Sequence, residues 1–130
     1  MILDMGRQRR IIIADRSELA GNMYKLLLDS LGANLIIRKR FEEARPHFFR
    51  REKTDLGIFN SNIFGKKFEE IYRRMGEAEP IANTPKIFLC KDNIAEAKMR
   101  DRLSRVDNSS IMVRPFHPDD FFKLVGKLLV

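Results

Sequence analysis

Five short apolar runs recur along the chain, none with a polar face: Arg10 to Ala14, Asn34 to Ile37, Asp55 to Asn60, Lys86 to Cys90 and Ile111 to Val113. A strand with one wet face alternates apolar and polar residues, whereas these runs are apolar throughout. Each is followed by a segment of helical spacing. Strands alternating with helices, and too apolar to face water on either side, predict a parallel sheet covered on both faces. Right-handed crossovers then favour a doubly wound α/β sheet of flavodoxin-like order 2-1-3-4-5 with five helices. The 130 residues suffice for one such domain, 1–130, with about 1–8 expected as a loose N-terminal arm and no output domain.

The helical segments follow from apolar spacing and punctuation. Ser17 is a natural N-cap, after which Ala20, Met23, Tyr24, Leu27 and Leu31 fall at intervals of three and four until Gly32 stops the helix. Phe41 to Glu52 has helical composition but contains Pro46, so a kink is expected there, or a start near Arg45 with the proline in the first turn. Phe48 and Phe49 are read as core. Phe68, Ile71, Tyr72 and Met75 predict a third helix ending at Gly76, and Ala95, Met99, Leu103 and Val106 a fourth, capped by Asp92 or Asn93. Phe121, Leu124, Val125 and Leu128 predict the last, with Asp119 and Asp120 in its first turn.

Ligands of an open α/β sheet sit beyond the carboxyl ends of its strands. The third run ends in Asn60-Ser61-Asn62, so Asn60 should face any site, and its side chain is neutral and non-nucleophilic. Deamidation at Asn60-Ser61 would create a carboxylate; an inert amide bonding its own loop is the reading adopted.

These strand ends resemble those of response-regulator receiver domains of two-component signalling, the CheY-like form of this fold. Ile11-Ile12-Ile13-Ala14-Asp15-Arg16-Ser17 stands where the family has an apolar strand followed by two acidic residues and a small one. The run ending in Asn60 stands where the family strand ends in its phospho-accepting aspartate, and Gly65 matches a loop glycine. Pro85 to Cys90 is similar to the strand that ends in a hydroxyl residue, and Val113-Arg114-Pro115-Phe116 resembles the lysine-proline-phenylalanine turn.

The departures concern chemistry. In the family, an aspartate attacks a phosphoryl donor while acidic side chains hold Mg²⁺. By position Asp15 keeps one acidic residue, Arg16 replaces the second, Asn60 replaces the nucleophile, Cys90 and Lys91 follow at the hydroxyl strand, and Arg114 replaces the lysine. With Asn62 these residues form a degenerate phosphoacceptor pocket. Asp15, Arg16, Asn60 and Arg114 sum to +1. A guanidinium about 4 Å from a cation repels it by roughly 4 kcal/mol per unit charge at an effective dielectric near 20. No Mg²⁺, no phosphoryl transfer and an ion pair from Arg16 or Arg114 to Asp15 are therefore expected. Cys90 is read as a small buried filler rather than a redox thiol.

No acid/base pair, activated nucleophile or Gly-rich phosphate loop is present, so an enzyme is not expected. Neither His47 nor His117 lies in a metal-ligand pattern. One cysteine and the lack of a long apolar run suit a cytoplasmic protein without membrane attachment. The net charge of +7 concentrates in Arg38 to Lys53 and in Lys98, Arg100, Arg102 and Arg105, without interleaved stacking aromatics. The resemblance implies that receivers dimerise or dock partners through the fourth helix, fifth strand and fifth helix. Lys98, Arg102, Arg105, Ile111 and Phe116 are the partner-binding candidates, for an acidic protein surface or a second copy. The alternatives are a basic nucleic-acid-binding module, or a working phosphoreceiver if the alignment slips by a residue.

Overall fold

In the computed structural model, which describes residues 8–63, 80–91 and 108–129, the five apolar runs become five strands. They are β1 (Arg10–Ala14), β2 (Asn34–Arg38), β3 (Leu56–Asn60), β4 (Lys86–Cys90) and β5 (Ser109–Val113). All pairings are parallel and the order is β2-β1-β3-β4-β5, as the apolar runs and crossover rule predict. Three α-helices lie among the described residues: α1 (Glu18–Leu28), α2 (Phe41–Phe48) and α3 (Pro118–Leu128). The helices expected around Phe68 to Met75 and Ala95 to Val106 lie outside the described residues. So do residues 1–7 of the expected arm. Gln8, its last residue, is tied down by donating to the Gly32 carbonyl at 2.8 Å.

Side chains alternate across the sheet and build two cores. Ile11, Ile13, Leu56, Ile58, Ile87 and Leu89 face one way, where Tyr24 and Leu28 of α1 and Phe121 and Val125 of α3 cover them. Ile12, Ala14, Phe59, Phe88 and Cys90 face the other way against Phe41, Ala44 and Phe48 of α2. Complete burial of such a side chain contributes about 1.5–3 kcal/mol, so the central strands anchor the molecule. Gly57 permits the second core to close. A Cβ there would lie 2.8 Å from Phe59 and 3.2 Å from Phe48, whose rings stack at 5.9 Å.

Local chemistry sets the element ends. The Ser17 hydroxyl accepts from the Ala20 N–H, capping α1, which closes through a short 3-10 turn (Asp29–Leu31) onto Gly32 at φ 64°. Pro46 lies inside α2 and near its end, rather than in a first turn beginning at Arg45. Starting at Phe41 lets the helix bury Phe41, Ala44 and Phe48 before the missing proline N–H matters. Phe49 corrects the reading as core. It is exposed, with the Arg45 guanidinium over its ring at 5.0 Å.

Polar groups at the opposite, amino-terminal edge of the sheet are buried as structural ties. Arg10 donates through Nη1 to the His47 and Glu52 carbonyls and to Thr54 Oγ1, and through its backbone N–H to Asp55. These bonds fasten the α2–β3 connection to β1. Among the described residues, no helix is long and apolar enough to cross a membrane.

Candidate functional site

The carboxyl ends of β1, β3, β4 and β5 bring Asp15, Asn60, Lys91 and Arg114 to one edge of the sheet. Parallel register does this: Ala14 lies beside Phe59 and Asn60 beside Leu89, so residues ending their strands converge. The Arg114 N–H donates to the Cys90 carbonyl at 2.8 Å, which fixes the turn after β5 beside the end of β4.

Asp15 is the centre of this edge, and only 1% of it is exposed. Its carboxylate accepts four hydrogen bonds, two on each oxygen. Oδ1 accepts from the Ser17 N–H at 2.9 Å and from Asn62 Nδ2 at 3.4 Å. Oδ2 accepts from the Tyr24 hydroxyl at 2.6 Å and Asn60 Nδ2 at 2.9 Å. Every donor is neutral. The fully buried Asn60 amide also accepts from the Asn62 N–H at 3.2 Å, which holds the loop after β3, Ser61–Ile63, against the site.

The expected ion pair to Asp15 is corrected by this arrangement. Arg16 is exposed and, among the described residues, donates only to the Asn62 carbonyl, at 3.5 Å. Among the described residues no cation lies within ion-pair distance of Asp15. A buried carboxylate already surrounded by neutral donors gains little from an arginine that would itself have to leave water. Arg114 instead keeps a buried Nε without a hydrogen-bond partner.

Tyr24 went unrecognised as part of the site, because its spacing marks it as one more apolar position of α1. A tyrosine on an otherwise aliphatic stripe is the sequence signal, since a buried phenol needs a partner. Burial pushes its ionisation well above the ordinary tyrosine value, and the bond to Asp15 and that residue's charge push the same way. The positive charge of Arg114 and the bond with Asn60 oppose the shift weakly. The ring of Tyr24 lies 5.9 Å from Phe121, which stacks on Phe116 at 5.2 Å. Packed aromatic rings thus link Asp15 to the turn after β5.

The remaining expected residues separate. Cys90 is fully buried among the apolar side chains on the α2 face, while Lys91 beside it is exposed. Ile111 is half-buried against that same core, and Phe116 is half-buried against the other. Lys98, Arg102 and Arg105 lie outside the described residues. Among the described residues no three His, Cys, Asp or Glu side chains form a group able to hold a metal ion.

Comparison with known proteins identifies the architecture. A response regulator from Thermotoga maritima superposes with a TM-score of 0.72 at 24% identity, covering 95% of this chain and 98% of that one. The fold is that of receiver domains. The chemotaxis response regulator CheY4 of Vibrio cholerae matches with a TM-score of 0.76 at 18% identity, over 95% of this chain and 100% of that one. The signal receiver domain of an HD domain-containing protein from Pseudomonas fluorescens Pf-5 matches with a TM-score of 0.79 at 17% identity, over 98% and 91%. No protein-family model matches the sequence, and no curated protein matches it.

Proposed function

We propose that this chain is an atypical receiver-like signalling domain that acts by binding a protein partner and does not accept a phosphoryl group. The observation that carries the reading is the Asn60 side chain, an amide donating to Asp15 Oδ2 at 2.9 Å where receiver chemistry requires an attacking carboxylate. An amide in this position is neither a nucleophile nor an anionic ligand. Asp15 is the remaining carboxylate, and two hydrogen bonds already fall on each of its oxygens. Mg²⁺ surrenders hydration reluctantly, in exchange for carboxylates in octahedral array. It would have to displace those donors beside the positive charge of Arg114. The residues present therefore do not fit the ion, and the proposed function uses neither cofactor nor catalysis.

The test is incubation of the full chain with acetyl phosphate and Mg²⁺, followed by intact-mass measurement. The wild-type mass should stay unchanged. Asn60→Asp and Asn60→Asp/Arg16→Asp, run in parallel, report whether the scaffold regains phosphoryl transfer when the carboxylates return. A phosphoryl adduct on the wild type, mapped to this edge, would refute the proposal.

A basic nucleic-acid module on the same fold is the competing reading, favoured by exposed Arg50, Arg51 and Lys53 after α2. The pairing of Arg40 with Glu43 and Lys39 with Glu18 reduces the charge of the neighbouring surface. Binding to DNA or heparin that collapses steeply with salt would support that reading. Salt-tolerant capture of a protein supports the first.

A further inference from the structure

We infer that the cavity at the amino-terminal edge of the sheet, away from Asp15, binds a nucleoside monophosphate, with the phosphate on Arg50 and Lys53 and the base against Phe48, Pro85 and Leu128. The inference goes beyond the proposed function and does not depend on it, because the two sites lie at opposite ends of the strands. The cavity has a volume of about 540 Å³ and lies where the α2–β3 connection, the residues leading into β1 and β4, and the end of α3 meet. That volume falls within the range of clefts that hold small organic ligands.

Charge selects an anion. Arg9, Arg50 and Lys53 line the cavity, against the carboxylates of Glu52 and Asp55. Asp55 is already engaged, accepting from Arg9 Nη1 at 3.4 Å and from the Arg10 N–H at 2.9 Å. Among the described residues, no carboxylate lies within ion-pair distance of Arg50 or Lys53, and both are exposed at the rim. A further cation stands behind the wall. Arg10, only 6% exposed, donates from its guanidinium to the Glu52 carbonyl at 3.2 Å and to Thr54 Oγ1 at 3.0 Å, both on lining residues, and to the His47 carbonyl at 2.9 Å. All three acceptors are neutral, and among the described residues no carboxylate lies within ion-pair distance of that guanidinium. A buried charge acts across a low dielectric, so an anion in the cavity is attracted by Arg10 as well as by the rim. Glu52 opposes this, but it is exposed and screened by water.

The walls select what the anion is attached to. Phe48, Pro85, Leu128 and Leu129 supply an apolar surface that inorganic phosphate leaves uncovered. Asn83 offers an exposed amide, donor and acceptor at once, without a hydrogen-bond partner among the described residues. The last carbonyls of a helix lack helical partners, and α3 ends at Leu128, so N–H donors are stabilised there. A nucleobase meets these needs together, as a flat apolar body with a hydrogen-bonding edge. Two cations without a paired carboxylate suit a phosphate dianion better than a single carboxylate. The partial negative charge at the end of α3 sets the orientation, base toward α3 and phosphate toward Arg50 and Lys53.

The experiment titrates the isotope-labelled full chain, in buffer without Mg²⁺ or phosphodonor, with the 5′-monophosphates of adenosine, guanosine, cytidine and uridine in turn. At least one should give saturable shifts of the Arg50, Lys53, Asn83 and Thr84 amide resonances. The matching nucleoside and sodium phosphate should each bind at least about tenfold more weakly, since each forfeits either the charged hydrogen bonds or the base contacts. Arg50→Gln and Lys53→Gln should each weaken nucleotide binding at least about fivefold. Both side chains are exposed, and circular dichroism of the free variants verifies that they fold. No saturable shift with any of the four, equally strong shifts by sodium phosphate alone, or shifts confined to Asp15, Asn60 and Lys91 would overturn the inference. So would a short oligothymidylate that binds far more tightly than every mononucleotide and loses affinity steeply with salt, which would make this edge a nucleic-acid surface. The acetyl phosphate assay bears on Asn60 and leaves this result untouched.

Discussion

Replacing Tyr24 by Phe removes one oxygen and leaves the ring, which isolates the bond on which the crevice depends. The bond is 2.6 Å long, and both partners are 1% exposed. A hydrogen bond to a charged group contributes about 1.5–3 kcal/mol net, and an orphaned buried acceptor costs about as much. Asp15 keeps three other donors, Ser17 N–H, Asn60 Nδ2 and Asn62 Nδ2, so the loss should fall near the lower bound, about 1.5 kcal/mol. Urea unfolding near neutral pH measures it as a lower midpoint with an unchanged slope. A cycle with Asp15→Asn separates the bond from general packing, and the two substitutions should couple by about 1 kcal/mol or more. A Tyr24→Phe loss below about 0.5 kcal/mol with no coupling would refute the claim that Asp15 is held by neutral donors. The same bond predicts alkaline behaviour. The raised phenol stays protonated in the folded chain while its unfolded counterpart ionises near pH 10, so stability is full below that pH and falls above it. Tyr24→Phe should flatten this fall.

Three further perturbations test other parts of the structure. His47 is buried, and desolvation, followed by the charges of Arg38, Arg50 and Arg10, holds its pKa below the ordinary histidine value. The unfolded state then takes up the proton first, so stability should decline as pH falls from about 6.5 toward the lowered folded value, and melting curves of His47→Gln should lose this dependence. Gly57→Ala places a Cβ 2.8 Å from the Phe59 ring and should cost about 1–3 kcal/mol by chemical unfolding, with altered aromatic circular dichroism. Asn60→Asp replaces a donor 2.9 Å from Asp15 by a second carboxylate and should destabilise by at least about 1 kcal/mol at neutral pH, less once acid supplies a shared proton.

The sheet was legible because its code is local. Five apolar runs gave the strands, and the handedness of crossovers gave the order. What escaped were residues whose burial depends on distant partners. Ser109 and Ser110 look like loop, yet they pair with Lys86 and Ile87 at the start of β5, where backbone hydrogen bonds suffice. Lys86 and Arg10 look like solvated strand ends, but Lys86 is fully buried, donating to the Thr84 and Ala82 carbonyls, and Arg10 ties three segments together. Phe49 looks like core because Phe48 beside it is, but it stands just past the end of α2 and is exposed, with the Arg45 guanidinium over its ring.

At the candidate site, the sequence disclosed which charges are present but not how they are used. Formal charge alone makes an arginine the natural partner for Asp15, since one anion stands among Arg16, Lys91 and Arg114. Geometry selects otherwise. Asp15 and Tyr24 lie nine positions apart on adjoining elements, and strand and helix together bring the phenol to the carboxylate before any long side chain must be ordered. Asn60 and Asn62 then add donors from the β3 end, where an aspartate at position 60 would have repelled. The consequence reaches beyond Asp15 itself. Among the described residues, a carboxylate satisfied by neutral groups leaves Lys91 and Arg114 without an ion pair to Asp15, although both stand at the same edge of the sheet.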